Sequence, residues 1–251
     1  MKTLVKAQWE DLIMINFEVP QELLVPYIPH GTELDLWRGR AYVSVVAFYF
    51  KKTRVLGIPA FYNQNFPELN LRIYVKRSVQ NSPERTEQLI EVRRGVSFIK
   101  EIVPKPFVSF VANTFFKENY QTLKMNTVCK QREKHNHQYN RFELEYSIRK
   151  NSEHKITASA NNRKVNLLSD SFEEFIAEHY WGYAKINDTR TMEYEVRHPK
   201  WKIYSNADVK FDIDIGDLYG EKWAFLNEQT PYSCFLAEGS AVQVGFPKRL
   251  K

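Results

Sequence analysis

One stretch of the chain places four polar side chains at alternate positions: Phe66-Pro67-Glu68-Leu69-Asn70-Leu71-Arg72-Ile73-Tyr74-Val75. In a β-strand successive side chains point to opposite faces, so Leu69, Leu71, Ile73 and Val75 form one face. Glu68, Asn70, Arg72 and Tyr74 form the other. A carboxylate, an amide, a guanidinium and a phenol in a row have two readings. They are either the wet outer face of a sheet or the lining of a cavity that fixes a small polar ligand. In the second reading Arg72 is an anion clamp, because its planar fork matches a carboxylate bidentately. Glu68 is then its counter-charge, or a proton-transfer group if burial raises its pKa. The predicted ligand-binding set is therefore Glu68, Asn70, Arg72 and Tyr74, with Glu68 the candidate catalytic residue.

Other residues of reactive type point to less. His135-Asn136-His137 has metal-like spacing but sits in a polar turn beside Arg132-Glu133-Lys134, with no third ligand near, so no metal site is expected. His179 falls on an apolar stripe and is expected as a core histidine. Cys129 and Cys234 lie far apart with no Cys-x-x-Cys pattern, which argues against a zinc module or a disulfide framework. Glycine-rich phosphate loops and a Gly-x-Ser-x-Gly elbow are lacking, so neither a nucleotide or other cofactor nor serine hydrolysis is expected.

Several period-two runs read as strands that position these groups: 12–18, 41–50, 69–76, 96–102, 142–148, 192–198 and 209–215. Trp37-Arg38-Gly39-Arg40 reads as a hairpin turn between two of them. Three helices are expected. One follows Pro20 through Leu23, Leu24 and Tyr27. A second starts at Pro106 with Phe107, Phe110, Val111, Thr114 and Phe115 on one face. A third starts with the capping box Ser171-Phe172-Glu173-Glu174 and continues through Phe175, Ile176, His179 and Tyr180. The fold class is α+β, mainly β: a curved antiparallel sheet or barrel with a few helices packed on its outside.

The chain has 251 residues, with 36 Lys and Arg against 30 Asp and Glu, a formal net charge of +6. Both signs interleave along most segments, unlike the single-sign stripe of a nucleic-acid binder, so no specific nucleic-acid partner is expected. The start has no signal-peptide pattern and the longest apolar run, 41–50, is half a membrane span. A cytoplasmic protein with no membrane partner is therefore expected. Seventeen Phe and fourteen Tyr leave room for an apolar self-association patch.

Several motifs occur in order: Phe17-Glu18-Val19-Pro20-Gln21-Glu22-Leu23-Leu24-Val25-Pro26-Tyr27-Ile28-Pro29, then Glu33-Leu34-Asp35, then Ala41-Tyr42-Val43-Ser44-Val45-Val46-Ala47-Phe48. The Glu68–Val75 strand and Arg94-Gly95-Val96-Ser97-Phe98 follow. Together they resemble the uncharacterised YqjF-like family, a domain of unknown function in the acetoacetate-decarboxylase-like superfamily. The resemblance covers residues 9–125, and Ala237-Glu238-Gly239-Ser240-Ala241-Val242-Gln243-Val244 is similar to a closing strand. It implies a single domain over residues 1–251, built on a closed, curved sheet with an internal cavity, and it implies no activity. The decarboxylase branch uses a Schiff-base lysine whose pKa is lowered by a second lysine. The stretch that resembles it here, Phe115-Phe116-Lys117-Glu118-Asn119-Tyr120, has no lysine doublet, and a carboxylate beside Lys117 raises rather than lowers an amine's pKa. Trp9 stands where the decarboxylases bring a substrate-binding arginine, and Glu68 resembles their active-site glutamate. The resemblance and the polar row leave two functions open. One is a pocket for a small carboxylate- or carbonyl-containing molecule. The other is an enzyme acting on a keto acid or related carbonyl compound by proton transfer rather than by a lysine pair.

Overall fold

The computed structural model describes residues 1–80, 90–131 and 141–250, the side chains at 131 and 141 excepted. His135, Asn136 and His137 lie outside the described residues. The long strands are β1 (Thr3–Val19), β2 (Ala41–Val55), β3 (Phe66–Gln80) and β4 (Ile90–Val103). They are followed by β5 (Tyr120–Thr122), β6 (Lys124–Gln131), β7 (Arg141–Arg149) and β8 (Glu153–Asn161). The last are β9 (Trp181–Asn187), β10 (Arg190–Arg197), β11 (Asp208–Asp212) and β12 (Ser233–Gly245). The helices are α1 (Pro106–Val111), α2 (Phe172–Ala177) and α3 (Ile215–Tyr219).

The chain is mainly β, as the alternating runs predict. The large sheet runs β12-β1-β2-β3-β4-β9-β10, and β10 pairs back to β12, so the hydrogen-bonded neighbours form a circuit. Most pairings are antiparallel. Two are parallel, β4 with β9 and β4 with β5, which makes the sheet mixed rather than purely antiparallel. A second, four-stranded sheet runs β11-β8-β7-β6.

Strand β3 is covered on both faces. Leu69, Leu71, Ile73 and Val75 join Ile13, Ile15 and Phe17 of β1 and Val43, Val45 and Ala47 of β2. This layer packs on Leu144, Tyr146 and Ile148 of β7, Ile156 of β8 and Ile215 and Leu218 of α3. The opposite face carries Met14, Val46, Phe48 and Tyr74, and on it sit Phe172, Phe175 and Ile176 of α2 with Trp201. Both faces of residues 66–75 of the row strand are therefore buried.

The local signals hold with some differences. The Trp37-Arg38-Gly39-Arg40 turn has Arg38 at φ 49 and Gly39 at φ 79 and closes with the Trp37–Arg40 bridge, the mirror-image turn that suits strand twist. At the start of α2 the Ser171 hydroxyl accepts from the Glu174 amide at 3.1 Å. Glu174 reaches back to the Asp170 amide, one residue before the cap. That helix stops at Ala177, so His179 and Tyr180 lie beyond its end. The segment after Pro20 forms two 3₁₀ turns, Gln21–Leu23 and Val25–Tyr27, rather than one helix. Helix α1 begins at Pro106, but Phe107, Phe110 and Phe115 are exposed and only Ser109 of α1 is buried, so the aromatic stripe faces outward. Among the described residues no helix is long and apolar enough to cross a membrane.

Candidate functional site

The four row residues come together and are buried: Glu68, Asn70 and Tyr74 are 1–2 % exposed and Arg72 is 9 % exposed. The cover is α2 on one side and the neighbouring strands on the other, which removes the wet-surface reading. Hydrogen bonds link the row. Asn70 Nδ2 donates to Glu68 Oε1 at 3.1 Å, and Arg72 Nε donates to the Tyr74 hydroxyl at 3.3 Å. A second Arg72 nitrogen donates to the Ile176 carbonyl at the end of α2, at 3.3 Å, and lies 4.0 Å from Met14 Sδ. The Tyr74 hydroxyl meets Ser44 Oγ at 2.6 Å, and Ser44 Oγ donates to Asn16 Oδ1 at 2.5 Å. The line of polar groups therefore crosses β3, β2 and β1.

Arg72 and Glu68 make no direct ion pair. The guanidinium acts on the carboxylate only through its field, and burial dominates, pushing Glu68 up to about 7 despite hydrogen bonds from Asn70 and Tyr120. Near neutral pH this carboxyl is therefore close to half protonated.

Two further carboxylates that sequence reasoning passes over lie against Glu68. Glu101 is opposite Asn70 in the β3–β4 register and is 2 % exposed. Burial, then the charges of Glu118 and Glu68, push its pKa well above the usual carboxylate range. Glu118 accepts from the Tyr194 hydroxyl at 2.7 Å, and burial pushes it up to about 8. The Tyr120 hydroxyl donates to Glu68 Oε2 at 3.0 Å. Burial and the neighbouring carboxylates hold the Tyr120 and Tyr194 phenols protonated. The Tyr194 ring lies over Gly182, where an added Cβ would sit 2.1 Å from it. A glycine on β9 is thus what lets the phenol reach Glu118.

The alternation signal hides Glu101 because β4 carries an extra residue. Leu71 pairs with Lys100 and Arg72 with Phe98, so Ile99 is bulged and Phe98 and Glu101 share a face. Glu118 follows Lys117, whose left-handed backbone (φ 62) ends the turn after α1 and points the chain back inward. Lys117 itself is exposed.

At the Tyr74 end, His179 is buried as predicted, with its ring 4.8 Å from that of Tyr74. Its Nε2 lies 3.1 Å from Asp35 Oδ2, and Arg94 Nε donates to the same oxygen at 2.6 Å. Burial holds His179 down to about 4, so it is neutral and its Nε2–H donates to Asp35. Burial opposes ionisation of Asp35, but the hydrogen bonds from His179 and Arg94 outweigh it and hold the carboxyl below its ordinary value.

Several polar atoms around the row are buried without a hydrogen-bond partner: Asn70 Oδ1, Glu101 Oε2, His179 Nδ1, Glu178 Oε1 and Trp9 Nε1. Trp9 packs edge-on against Phe48 at 5.2 Å. Native interiors satisfy nearly all such groups, so five of them on β1, β3, β4 and the segment after α2 are a chemical demand. Two surface clefts, of about 320 and 480 Å³, lie on the small sheet around Lys130 and Lys210 and beside α3 around Asp217. Neither is lined by a residue of the row. Among the described residues no cluster of His, Cys, Asp or Glu has the arrangement to hold a metal ion.

Comparison with known proteins agrees with this architecture. In sequence the chain is 22% identical over 223 residues to the uncharacterised protein YqjF of Bacillus subtilis, covering 86% of this chain and 82% of that one. In structure it is similar to the enduracididine biosynthesis enzyme MppR (TM-score 0.62, 10% identity, covering 100% and 89% of the two chains). It is equally similar to acetoacetate decarboxylase from Legionella pneumophila (TM-score 0.62, 8% identity, covering 100% and 88%). At such low identity these two show a shared acetoacetate-decarboxylase-like fold. The model of the family DUF2071, an uncharacterised conserved protein, matches residues 6–241, and the chain belongs to that family.

Proposed function

We propose that the chain binds a small carbonyl- or carboxylate-bearing molecule at the buried row, with Arg72 holding the anionic or carbonyl oxygen and Glu68, Asn70 and Tyr74 fixing its orientation. The observation that carries this reading is the set of partnerless buried polar atoms on Asn70 and on the residues around the row, which a polar ligand would satisfy. Arg72 suits the clamp because its other contacts are neutral: a phenol, a backbone carbonyl and a thioether. Among the described residues no carboxylate pairs with it directly, so its charge is available to a ligand. The structural neighbour MppR is known in complex with pyruvate, a small 2-oxo acid whose negative charge suits Arg72.

Saturating ligand stabilises the folded state in proportion to the logarithm of its concentration over Kd, so a thermal-shift screen of small organic acids and ketones tests the proposal. The expected result is a set of hits whose affinity falls by at least about tenfold in Arg72→Ala, as loss of a charge-assisted contact requires. Equal binding by the two proteins overturns the clamp.

A second reading, favoured by the position of Glu68 near 7, is that the bound carbonyl compound exchanges a proton with this carboxyl. General acid–base catalysis is most efficient when the group's pKa is close to the working pH. Proton magnetic resonance in D₂O checks it. Wild-type protein should wash deuterium into the position next to the carbonyl of a bound hit, and Glu68→Gln should not. Equal exchange with both proteins excludes that role.

A further inference from the structure

The Glu68 end of the row is built differently from the Arg72 end. Glu68, Asn70 and Glu101 project from adjacent strands onto one face, and Glu118 completes the group through Tyr194. Among the described residues no lysine, arginine or histidine forms an ion pair with any of the three carboxylates. The atoms left partnerless there are Asn70 Oδ1 and Glu101 Oε2, both acceptors on residues 2 % exposed. The Tyr219 hydroxyl, within the field of Glu68 and Glu101, is also buried without a partner. Apart from that phenol the unpartnered atoms are acceptors, and they call for N–H donors. A primary ammonium carries three N–H donors and one positive charge, and an amidinium carries several in a plane.

We propose that this end of the row receives a protonated nitrogen of the ligand, among Glu68, Glu101 and Asn70 Oδ1, so that the bound molecule is amphoteric, with its carbonyl or carboxylate at Arg72 and a basic nitrogen at the opposite end. This deepens the reading of the row as a ligand site and rests on it. The charge balance is simple. In the empty protein the buried carboxylates hold protons, because like charges so close are costly without a counter-ion. When R–NH₃⁺ enters, its charge replaces a proton on Glu101 or Glu68, and that proton leaves to solvent. The ionisable groups facing this end are Glu68, Glu101 and Glu118, with the phenols Tyr120, Tyr194 and Tyr219. Arg72, farther along β3, acts on Glu68 through its field. Of these, Glu68 and Glu118 are pushed up to about 7 and about 8, so cation binding strengthens as pH rises through those values.

Calorimetry with ω-amino carboxylates of graded length, from 4-aminobutyrate to 8-aminooctanoate, against plain carboxylates of the same length tests the proposal. At pH 8 at least one amino acid of the series should bind about tenfold or more tighter than its plain counterpart. Its heat of binding should depend on the buffer's ionisation enthalpy, which reports the released proton. Glu101→Gln, a neutral isostere of the protonated residue, should erase the amino-over-plain preference while plain acids still bind. If amino and plain acids bind alike and both depend on Arg72, the cation site is wrong and the ligand site stands. If the amino preference persists unchanged in Glu101→Gln, the proposed seat of the nitrogen is wrong. If neither series binds, both readings fall.

Discussion

Replacing Glu68 by glutamine should stabilise the protein in alkali and leave it nearly unchanged in acid. Glu68 ionises at about 7 in the folded chain against an ordinary value of 4.5. Folding therefore favours its protonated form, and stability falls as pH rises from about 4.5 through 7. At about 1.4 kcal/mol per pH unit, the fully ionised residue costs the native state roughly 3 kcal/mol by pH 9. Glutamine escapes that cost. It keeps an oxygen for Asn70 Nδ2 and turns its amino group to the Tyr120 oxygen, so the hydrogen-bond loss is within about 1 kcal/mol. It also removes a charge that acts on Glu101 and Glu118. The net gain is about 2–3 kcal/mol at pH 9, a shift in urea midpoint of roughly 1 M, against less than about 1 kcal/mol at pH 5. Urea titrations of both proteins at pH 5, 7 and 9 measure it. A difference that is the same at all three values refutes the burial argument for Glu68.

Three other substitutions probe the scaffold of the site. Gly182→Ala places a Cβ 2.1–2.5 Å from atoms of the Tyr194 ring; it should cost at least about 2 kcal/mol by overpacking and, by moving the phenol from Glu118, alter the carboxyl titration seen by infrared difference spectroscopy. Ser44→Ala cuts the link between Asn16 Oδ1 and the Tyr74 hydroxyl, and chemical denaturation should show a loss of roughly 1–3 kcal/mol for the stranded buried groups. Asp35→Asn removes a carboxyl held below its ordinary 3.8, whose stabilisation is complete above that value and lost as pH falls through the lower folded one. The variant should therefore be less stable at pH 7, and the gap should close on acidification below about pH 4, as followed by circular dichroism.

The row was legible because Glu68, Asn70, Arg72 and Tyr74 alternate with four aliphatic residues without a break. Its burial was not, because burial depends on α2 arriving from a hundred residues away to lay Phe175 and Ile176 on that face. Glu101 escaped for a different reason: one bulged residue on β4 shifts the side-chain phase, so a period-two reading assigns it to the wrong face. Glu118 sits in no periodic element, and only the left-handed Lys117 ahead of it turns it inward. The outward stripe of α1 shows the converse error. Phe107, Phe110 and Phe115 have the spacing of a buried face, and spacing alone does not say whether a partner exists to cover it.

The circuit of strands is unevenly fastened. β1 is laced to β2 and to β12 along most of its length. Among the described residues the β9–β10 hairpin pairs with β4 at Trp181 and Gly182, with β12 at Val196 and Arg197, and with residues 248–250 at Thr191, Met192 and Glu193. Detaching it breaks few backbone bonds, so its amides should exchange with deuterium well ahead of those in β1–β3. Because Tyr194 rides on that hairpin, each such opening uncaps Glu118 and lets water trade protons with the interior acids. The clock for those acids is then set by a small seam rather than by unfolding of the whole molecule.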